Sequence, residues 1–405
     1  MLSDPSAFIE RLRLPAPEKR RPGAVRVLAE RDPAAFQQAF AEAVATGDRI
    51  ILTDPSWGAG EHAQLQALAV AEPVGPPELG WLGIPTGGTS GAIKVARHDE
   101  VTISSAVQGF AQHFRVGAVN AIGLLPLHHV SGFMAWMRCA LTGGEYQPWD
   151  WKRIERRDRP TVRGENWFLS LVPTQLERLL GQADAVDWLR RFRAVFIGGG
   201  PSWPVLVERG AAAGLPLAFS YGMTETAAMV TALRPEEFLA GQRGSGRPLP
   251  HAQVRLGDDG GVSVNGPSLF RGYWPAWREP GEWATSDRGE WGADGSLRLL
   301  GRRDAIIISG GEKIDPAGVE AALRASGVFA DVAVIGVPDP EWGQLVVACH
   351  PPLPGPLDSQ RVEEALRALA RYKWPKRYVT VDPWPRTAQG KLSSSALLAA
   401  VARPS

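Results

Sequence analysis

The stretch Pro216-Leu-Ala-Phe-Ser-Tyr-Gly-Met-Thr-Glu-Thr226 is a short apolar run that ends in a cluster of reactive and polar groups. Leu217, Ala218 and Phe219 read as a strand buried on both faces. A phenol, two threonine hydroxyls and a carboxylate follow at once, where a strand end leaves them at the rim of a sheet. The same grammar recurs upstream. Ala121-Ile-Gly-Leu-Leu125 runs into Pro126-Leu-His-His-Val-Ser-Gly132, and Ala194-Val-Phe-Ile197 runs into Gly198-Gly-Gly-Pro201. Helical spacing lies between such runs, as from Thr174 to Leu180. An Ala-rich helix from Pro33 to Ala45 precedes the strand Asp48–Thr53. Strands alternating with helices predict a mostly parallel sheet with both faces covered.

The texture changes after about residue 245. His251–Leu256, the turn Gly257-Asp-Asp-Gly-Gly261 and Val262–Asn265 predict a hairpin, and Ser296–Leu300 another strand. Beyond Arg303 the pattern is compact α+β, with strands at Ile306–Ile308, Val332–Val337 and Leu345–Cys349 and helices at Pro316–Ser326 and Ser359–Tyr372. We expect an α/β chain with a large N-terminal domain of helix-flanked sheets, residues 1–303, that ends in a β-rich portion. A small α+β domain, residues 304–405, follows it.

The 405 residues are enough for two or three domains, and 44% hydrophobic against 21% charged is the balance of a protein with a sizeable core. Lys and Arg number 44 and Asp and Glu 43, so no net field draws nucleic acid or anionic lipid. Two distant cysteines, Cys139 and Cys349, argue against a disulfide framework and for a reducing compartment such as the cytoplasm. No apolar run approaches the roughly 18 residues of a membrane span, and the N-terminus lacks the pattern of a secretory signal. The 15 tryptophans have no period and read as packing residues.

A phosphate-binding reading attaches to Pro85-Thr-Gly-Gly-Thr-Ser-Gly-Ala-Ile-Lys94. Glycines permit close approach of backbone N–H groups, hydroxyls add donors, and the lysine adds charge. It is neither a Walker loop nor a Gly-x-Gly-x-x-Gly dinucleotide fingerprint, and alone it reads more readily as a flexible turn than as a phosphate cradle. Five more segments change that reading together. They are Pro126–Gly132, Ile197-Gly-Gly-Gly-Pro201, Ser220–Thr226, and Thr285-Ser-Asp287 with Gly301-Arg-Arg-Asp-Ala-Ile-Ile-Ile-Ser-Gly-Gly-Glu-Lys313. The last is Pro385-Arg-Thr-Ala-Gln-Gly-Lys391. In order and spacing these six resemble the adenylate-forming superfamily of acyl-CoA synthetases, luciferases and peptide-synthetase adenylation domains. The resemblance runs from about Gly80 to Ser393. Within it, Pro-Leu-His-His-Val-Ser-Gly, Tyr-Gly-Met-Thr-Glu-Thr and Ile-Ser-Gly-Gly-Glu-Lys-Ile-Asp-Pro are most similar to the 2-succinylbenzoate–CoA ligases of menaquinone and phylloquinone biosynthesis. The shortened N-terminal part is most like the cyanobacterial form.

The resemblance implies a two-step reaction. ATP and a small-molecule carboxylate form an acyl-adenylate, and CoA then displaces AMP. It implies ATP, Mg²⁺ and CoA as the small molecules bound. Thr86, Thr89, Ser90 and Lys94 would hold the β- and γ-phosphates, with Ala-Ile standing before Lys94 where the family often has Pro. Thr224 would bond the α-phosphate and Glu225 would hold Mg²⁺ through a hard oxygen ligand. Tyr221 and Gly199, Gly200 and Pro201 would border adenine. Asp287 and Arg302 would bond the ribose hydroxyls, with Ser286 in place of the usual Gly. His129, Ser131, Gly132 and Gly222 would line the acyl pocket. Lys391 would carry catalytic charge to the α-phosphate from a mobile small domain. That domain would turn about Asp304, bringing Gly310 and Gly311 to the pocket for thioester formation. The basic stretch Lys152–Arg163 reads as a solvated face, with contact to CoA phosphates as the alternative. A CoA ligase for another aryl or acyl carboxylate is the close rival, and a non-catalytic nucleotide-binding module is the rival of another class, against which Glu225 and Lys391 both speak.

Overall fold

The computed structural model describes residues 24–86, 93–198, 204–310, 312–386 and 392–401. Its centre is a seven-stranded sheet. Across it run Arg247–Pro248, Ala228–Leu233, Leu217–Met223, Ala194–Ile197, Trp167–Leu171, Asn120–Gly123 and Tyr146–Pro148. The last five strands in that order are parallel, and the first two join antiparallel. The mostly parallel sheet expected from the alternating pattern is therefore present. Its parallel strands aim their carboxyl ends, and the polar residues after them, at one rim, where open α/β sheets bind ligands.

A smaller four-stranded sheet comes first in the chain: Val25–Leu28, Arg49–Leu52 and Leu82–Thr86 in parallel, with Lys94–His98 antiparallel to the third. The helix Pro33–Thr46 connects its first two strands. Asp32 caps that helix by accepting from Ala35 N at 2.9 Å, Pro33 occupies the first turn, and Gly47 ends it at φ 76°. Residues 271–274 extend this sheet beyond Lys94–His98, through Arg271 N to Arg97 O at 2.8 Å and Trp274 N to Val95 O at 2.8 Å.

The Arg271 segment is fastened by charge as well. Asp99, fully buried, accepts from Arg271 Nε at 2.8 Å while also capping the helix Glu100–Phe114. Burial pushes its carboxyl up, but Arg271 and backbone donors outweigh that and hold it below the usual carboxylate range. Removing one partner of such a buried pair costs about 3–5 kcal/mol.

The predicted hairpin is Gln253–Leu256 paired with Gly261–Asn265. Trp283–Trp291 and Leu297–Arg302 complete an antiparallel meander. After it, Glu312–Ile314, Ile307–Ser309, Gly343–His350, Ala333–Asp339 and Arg377–Thr380 form a fourth sheet. Ile307, Val319, Leu323, Val334, Val346 and Leu366 pack into a core of their own beside it. One expected helix is shorter than its pattern. Ser359–Leu366 stops well before Tyr372; beyond it Trp374 Nε1 donates to the Leu369 carbonyl at 3.1 Å, and a separate turn, Arg371–Lys373, follows. Among the described residues no helix is long and apolar enough to cross a membrane.

Candidate active site

Tyr221 and Gly222 lie near the end of the strand Leu217–Met223, and the chain then tightens into the 3₁₀ turn Thr224–Thr226. Thr226 holds that turn: its hydroxyl accepts from Met223 N at 2.9 Å and donates to the Ala228 carbonyl at 2.5 Å. Ala227 and Ala228 follow at positive φ, 50° and 78°, so the strand reverses at once into Ala228–Leu233. Glycine is required at 222 because a Cβ there would stand 1.9 Å from the Ala228 carbonyl oxygen. Close backbone approach accounts for Gly222 without any pocket.

Tyr221, expected beside adenine, is buried and donates to Asp287 Oδ2 at 2.8 Å, with Thr285 Oγ1 at 3.2 Å. Thr285 in turn donates to Val262 O at 2.9 Å and accepts from Asp287 N at 3.1 Å. Asp287 and Arg302 are directly opposite each other on neighbouring strands. Burial and then the Asp287 carboxylate push the Tyr221 hydroxyl far up, against a smaller pull from Arg302. The phenol is therefore a fixed donor that orients the carboxylate.

Glu225 is nearly buried, and its Oε1 accepts from Tyr273 Oη at 2.6 Å. Burial and Glu225 together raise the Tyr273 hydroxyl, while Arg302 again draws it down. Arg302 thus acts on both phenols and links the Asp287 group to the Glu225 group. Lys94 closes the arrangement, with Nζ 5.3 Å from the Tyr273 ring centroid. It pairs across the sheet with Thr86, so these two stand at the mouth of the Gly/Ser/Thr loop.

Beneath the turn, His98 Nε2 lies 2.8 Å from the Thr224 carbonyl. A carbonyl only accepts, so the imidazole carries a proton on that nitrogen. Burial is the main reason its pKa is drawn down to about 4.

Two of the residues expected to line an acyl pocket, Ser131 and Gly132, stand beside the strand Asn120–Gly123. A cavity there is lined by Ser131 and Gly132 together with Phe110, Phe168, Phe196 and Arg138. Gly132 is obligatory, since a Cβ would come within 2.2 Å of the Pro126 carbonyl oxygen. Arg138, on the helix Val130–Thr142, is buried with its guanidinium 4.2 Å from the Phe110 ring centroid. Its Nε has no hydrogen-bond partner, and among the described residues no carboxylate pairs with it. Burial draws its pKa down to about 10, and its charge presses on His251, which burial and then Arg138 hold down to about 4. His129 stands apart from that lining and faces Asp54 instead, with Nε2 3.8 Å from Oδ2.

Thr89, Ser90, Gly199, Gly200, Pro201, Gly311 and Lys391 lie outside the described residues. Asp304 falls in the 3₁₀ turn Arg303–Ala305, between the meander and the fourth sheet. In the basic stretch Lys152–Arg163, the exposed Arg153 pairs within the stretch with Asp158 at 2.7 Å, whereas Arg159 has a buried side chain and pairs with Asp184 beyond it at 2.7 Å. Sequence reading missed Tyr273, His98 and Arg138. Only Arg138 had a visible signal, a lone charge inside the apolar helix Phe133–Leu141.

Comparison with known proteins agrees with this geometry. A family model described as AMP-binding enzyme matches residues 7–274, and one for the AMP-binding enzyme C-terminal domain matches residues 318–391. The 2-succinylbenzoate–CoA ligase of Enterococcus faecalis is 30% identical over 325 residues, 76% of this chain and 67% of that protein. That of Geobacillus kaustophilus is 32% identical over 72% of this chain and 65% of the relative. The chain thus spans about two thirds of the length of these curated relatives. The indoleacetate–CoA ligase of Aromatoleum aromaticum is 32% identical over 90% of this chain and 76% of its own length. Among solved structures, the o-succinylbenzoate CoA synthetase MenE of Bacillus subtilis, in complex with its acyl-adenylate intermediate, superposes with a TM-score of 0.79. It shares 23% identity and covers 97% of this chain and 91% of that one. MatB of Rhodopseudomonas palustris with bound ATP gives 0.79 at 22% identity, covering 98% and 92%. With the first family model spanning well over half of its length, the chain belongs to the AMP-binding enzyme family.

Proposed function

We propose that this chain is an ATP-dependent acid–CoA ligase that converts 2-succinylbenzoate, through its acyl-adenylate, to 2-succinylbenzoyl-CoA in cytoplasmic menaquinone biosynthesis. Arg138 carries the choice of acid. A guanidinium left unpaired among phenylalanines costs several kcal/mol relative to a paired one. 2-Succinylbenzoate has two carboxylates: adenylation consumes one, and the other remains to pair with a buried cation. Indoleacetate has one carboxylate and would leave Arg138 unpaired throughout the reaction.

A free carboxylate is a poor acylating agent because its leaving group would be oxide. Joining it to AMP supplies a good leaving group, so the protein's task is positioning and charge stabilisation. Asp287, held by the Tyr221 hydroxyl, and Arg302 bind the ribose. Thr224 donates to the α-phosphate from a turn anchored by His98. Thr86 and Lys94, with Thr89 and Ser90, take the outer phosphates. Glu225 suits Mg²⁺, since one oxygen is engaged by Tyr273 and the carboxylate is a hard donor. Bound there, the ion would neutralise phosphate charge. Lys391, carried by the C-terminal part from Asp304 onward, stabilises the charge that builds at the α-phosphate. The same part then turns to admit CoA.

The test is a panel of carboxylates with ATP, Mg²⁺ and CoA, following AMP release and thioester formation. 2-Succinylbenzoate should be turned over far faster than indole-3-acetate, benzoate or a fatty acid. Turnover of a monocarboxylate with 2-succinylbenzoate inert would reject the substrate and keep the ligase.

A further inference from the structure

Where the first sheet meets the seven-stranded one, three side chains outside the nucleotide site converge. Asp54 Oδ2 lies 3.5 Å from His128 Nε2 and 3.8 Å from His129 Nε2. One ligand atom from each of the three residues falls within 4.8 Å of the other two. The geometry points to a binding site for a zinc-class divalent cation on Asp54, His128 and His129, joining the end of the strand Arg49–Leu52 to the start of the helix Val130–Thr142.

Four observations support it. Tetrahedral ligands at 2.0–2.1 Å from zinc stand about 3.3 Å apart, so the two measured spacings to Asp54 need to close by only a few tenths of an ångström. His128 is over nine-tenths buried, yet its Nε2 makes no hydrogen bond. Left so, it costs about 1–3 kcal/mol, which a metal bond would offset. The carboxylate is also pre-aimed. Asp54 Oδ1 accepts from Ser56 N at 2.8 Å and Ser56 Oγ at 2.6 Å, leaving Oδ2 toward both rings. Outer contacts of this kind are typical supports of metal ligands. Finally, two imidazoles and one carboxylate select zinc, cobalt or nickel over the hard Mg²⁺ that serves ATP.

The location suggests what such an ion does. Asp54 follows Arg49–Leu52, an inner strand of the first sheet, and the histidines belong to the connection leading into the helix that carries Arg138. One ion on all three ligands would clip these parts together, independently of which acid is activated.

The test uses the full chain freed of metal by chelator dialysis and titrated with Co²⁺, whose ligand-field absorption reports low-coordinate nitrogen and oxygen ligands. One equivalent should develop that absorption, be displaced by Zn²⁺ and not by Mg²⁺, and raise the melting temperature. His128→Gln and Asp54→Asn should each weaken Co²⁺ binding by at least about tenfold. Ser56→Ala, which keeps every ligand, should weaken it by about tenfold. Absence of Co²⁺ absorption in the wild-type chain would overturn the proposal. So would undiminished binding in the folded Asp54→Asn, His128→Gln double variant, which would place the ion elsewhere. Should that variant fail to fold by circular dichroism, Ser56→Ala decides the matter, and unchanged affinity there would reject the site.

Discussion

His98 Nε2 donates to the main-chain carbonyl of Thr224 at 2.8 Å, across 126 residues of sequence. The bond ties the last residue of the strand Lys94–His98 to the turn that presents Thr224 and Glu225. Burial of the ring, against the upward pull of that bond, makes this part of the fold sensitive to acid. The folded chain holds His98 near pKa 4, whereas a free histidine titrates at 6.5. Above pH 6.5 neither state takes up the proton, and the contribution to stability is complete. As pH falls from 6.5 toward 4 the unfolded chain binds a proton that the folded chain refuses, and that contribution is lost. Melting temperature should therefore be flat above pH 6.5 and fall below it. His98→Gln should reduce that acid slope without abolishing it, since His251 titrates in the same sense. An unchanged slope would mean that His98 is not held neutral by the fold.

Tyr221→Phe removes the donor that orients Asp287 while leaving the aromatic packing. A net hydrogen bond is worth about 1 kcal/mol, so the Michaelis constant for ATP should rise about five- to tenfold with little change in kcat. Steady-state kinetics with ATP varied checks this. An unaltered ATP dependence would separate Asp287 from ribose binding.

Arg138→Met should move stability and activity in opposite directions. Replacing an unpaired buried cation by a side chain of similar length relieves desolvation, so the melting temperature should hold or rise. The value of kcat/KM for 2-succinylbenzoate should drop about 10²-fold, the worth of a charged hydrogen-bonded pair. Slow turnover of a monocarboxylate should be unaffected. A variant that loses both substrates equally would show Arg138 to be a packing residue.

Glu225→Gln preserves shape and the Tyr273 contact but removes a hard anionic ligand. Adenylation should fall at low Mg²⁺ and recover in part as the metal is raised. A Mg²⁺ titration that superposes on the wild type would remove Glu225 from metal binding.

Lys391→Ala tests the two-conformation mechanism through separate half-reactions. Adenylation should slow by about 10²–10³, the size of a lost electrostatic donor at a reacting centre. Thioester formation from supplied acyl-adenylate should stay close to normal. Near-normal adenylation would leave Lys391 as a loop lysine.

Short-range pattern made the architecture legible. Ala194–Ile197 is a strand as read, and the hairpin Gln253–Leu256 with Gly261–Asn265 falls within a residue or two of its turn signals. The end of Leu217–Met223 carries Thr224 and Glu225 to the sheet rim because strand, turn and polar residues are contiguous in the chain. The helix after Ser359 ends earlier than its periodicity predicts, at Leu366, and the residues up to Lys373 turn separately, with Trp374 bonded back to the Leu369 carbonyl.

What the sequence determined by itself, then, is whatever neighbouring residues settle among themselves: strand ends, turns, caps, and the polar groups those turns display. Tertiary structure alone decided that Tyr273 would meet Glu225, that Asp54 would meet His128, and that Arg138 would lie against Phe110 without a carboxylate among the described residues. These contacts join residues far apart in the chain, and their energies come from burial, where an unpaired charge or donor is expensive. A sequence shows that an arginine sits on an apolar helix. Only packing shows which groups surround it and whether any of them neutralises it, because desolvation depends on everything near the group in space.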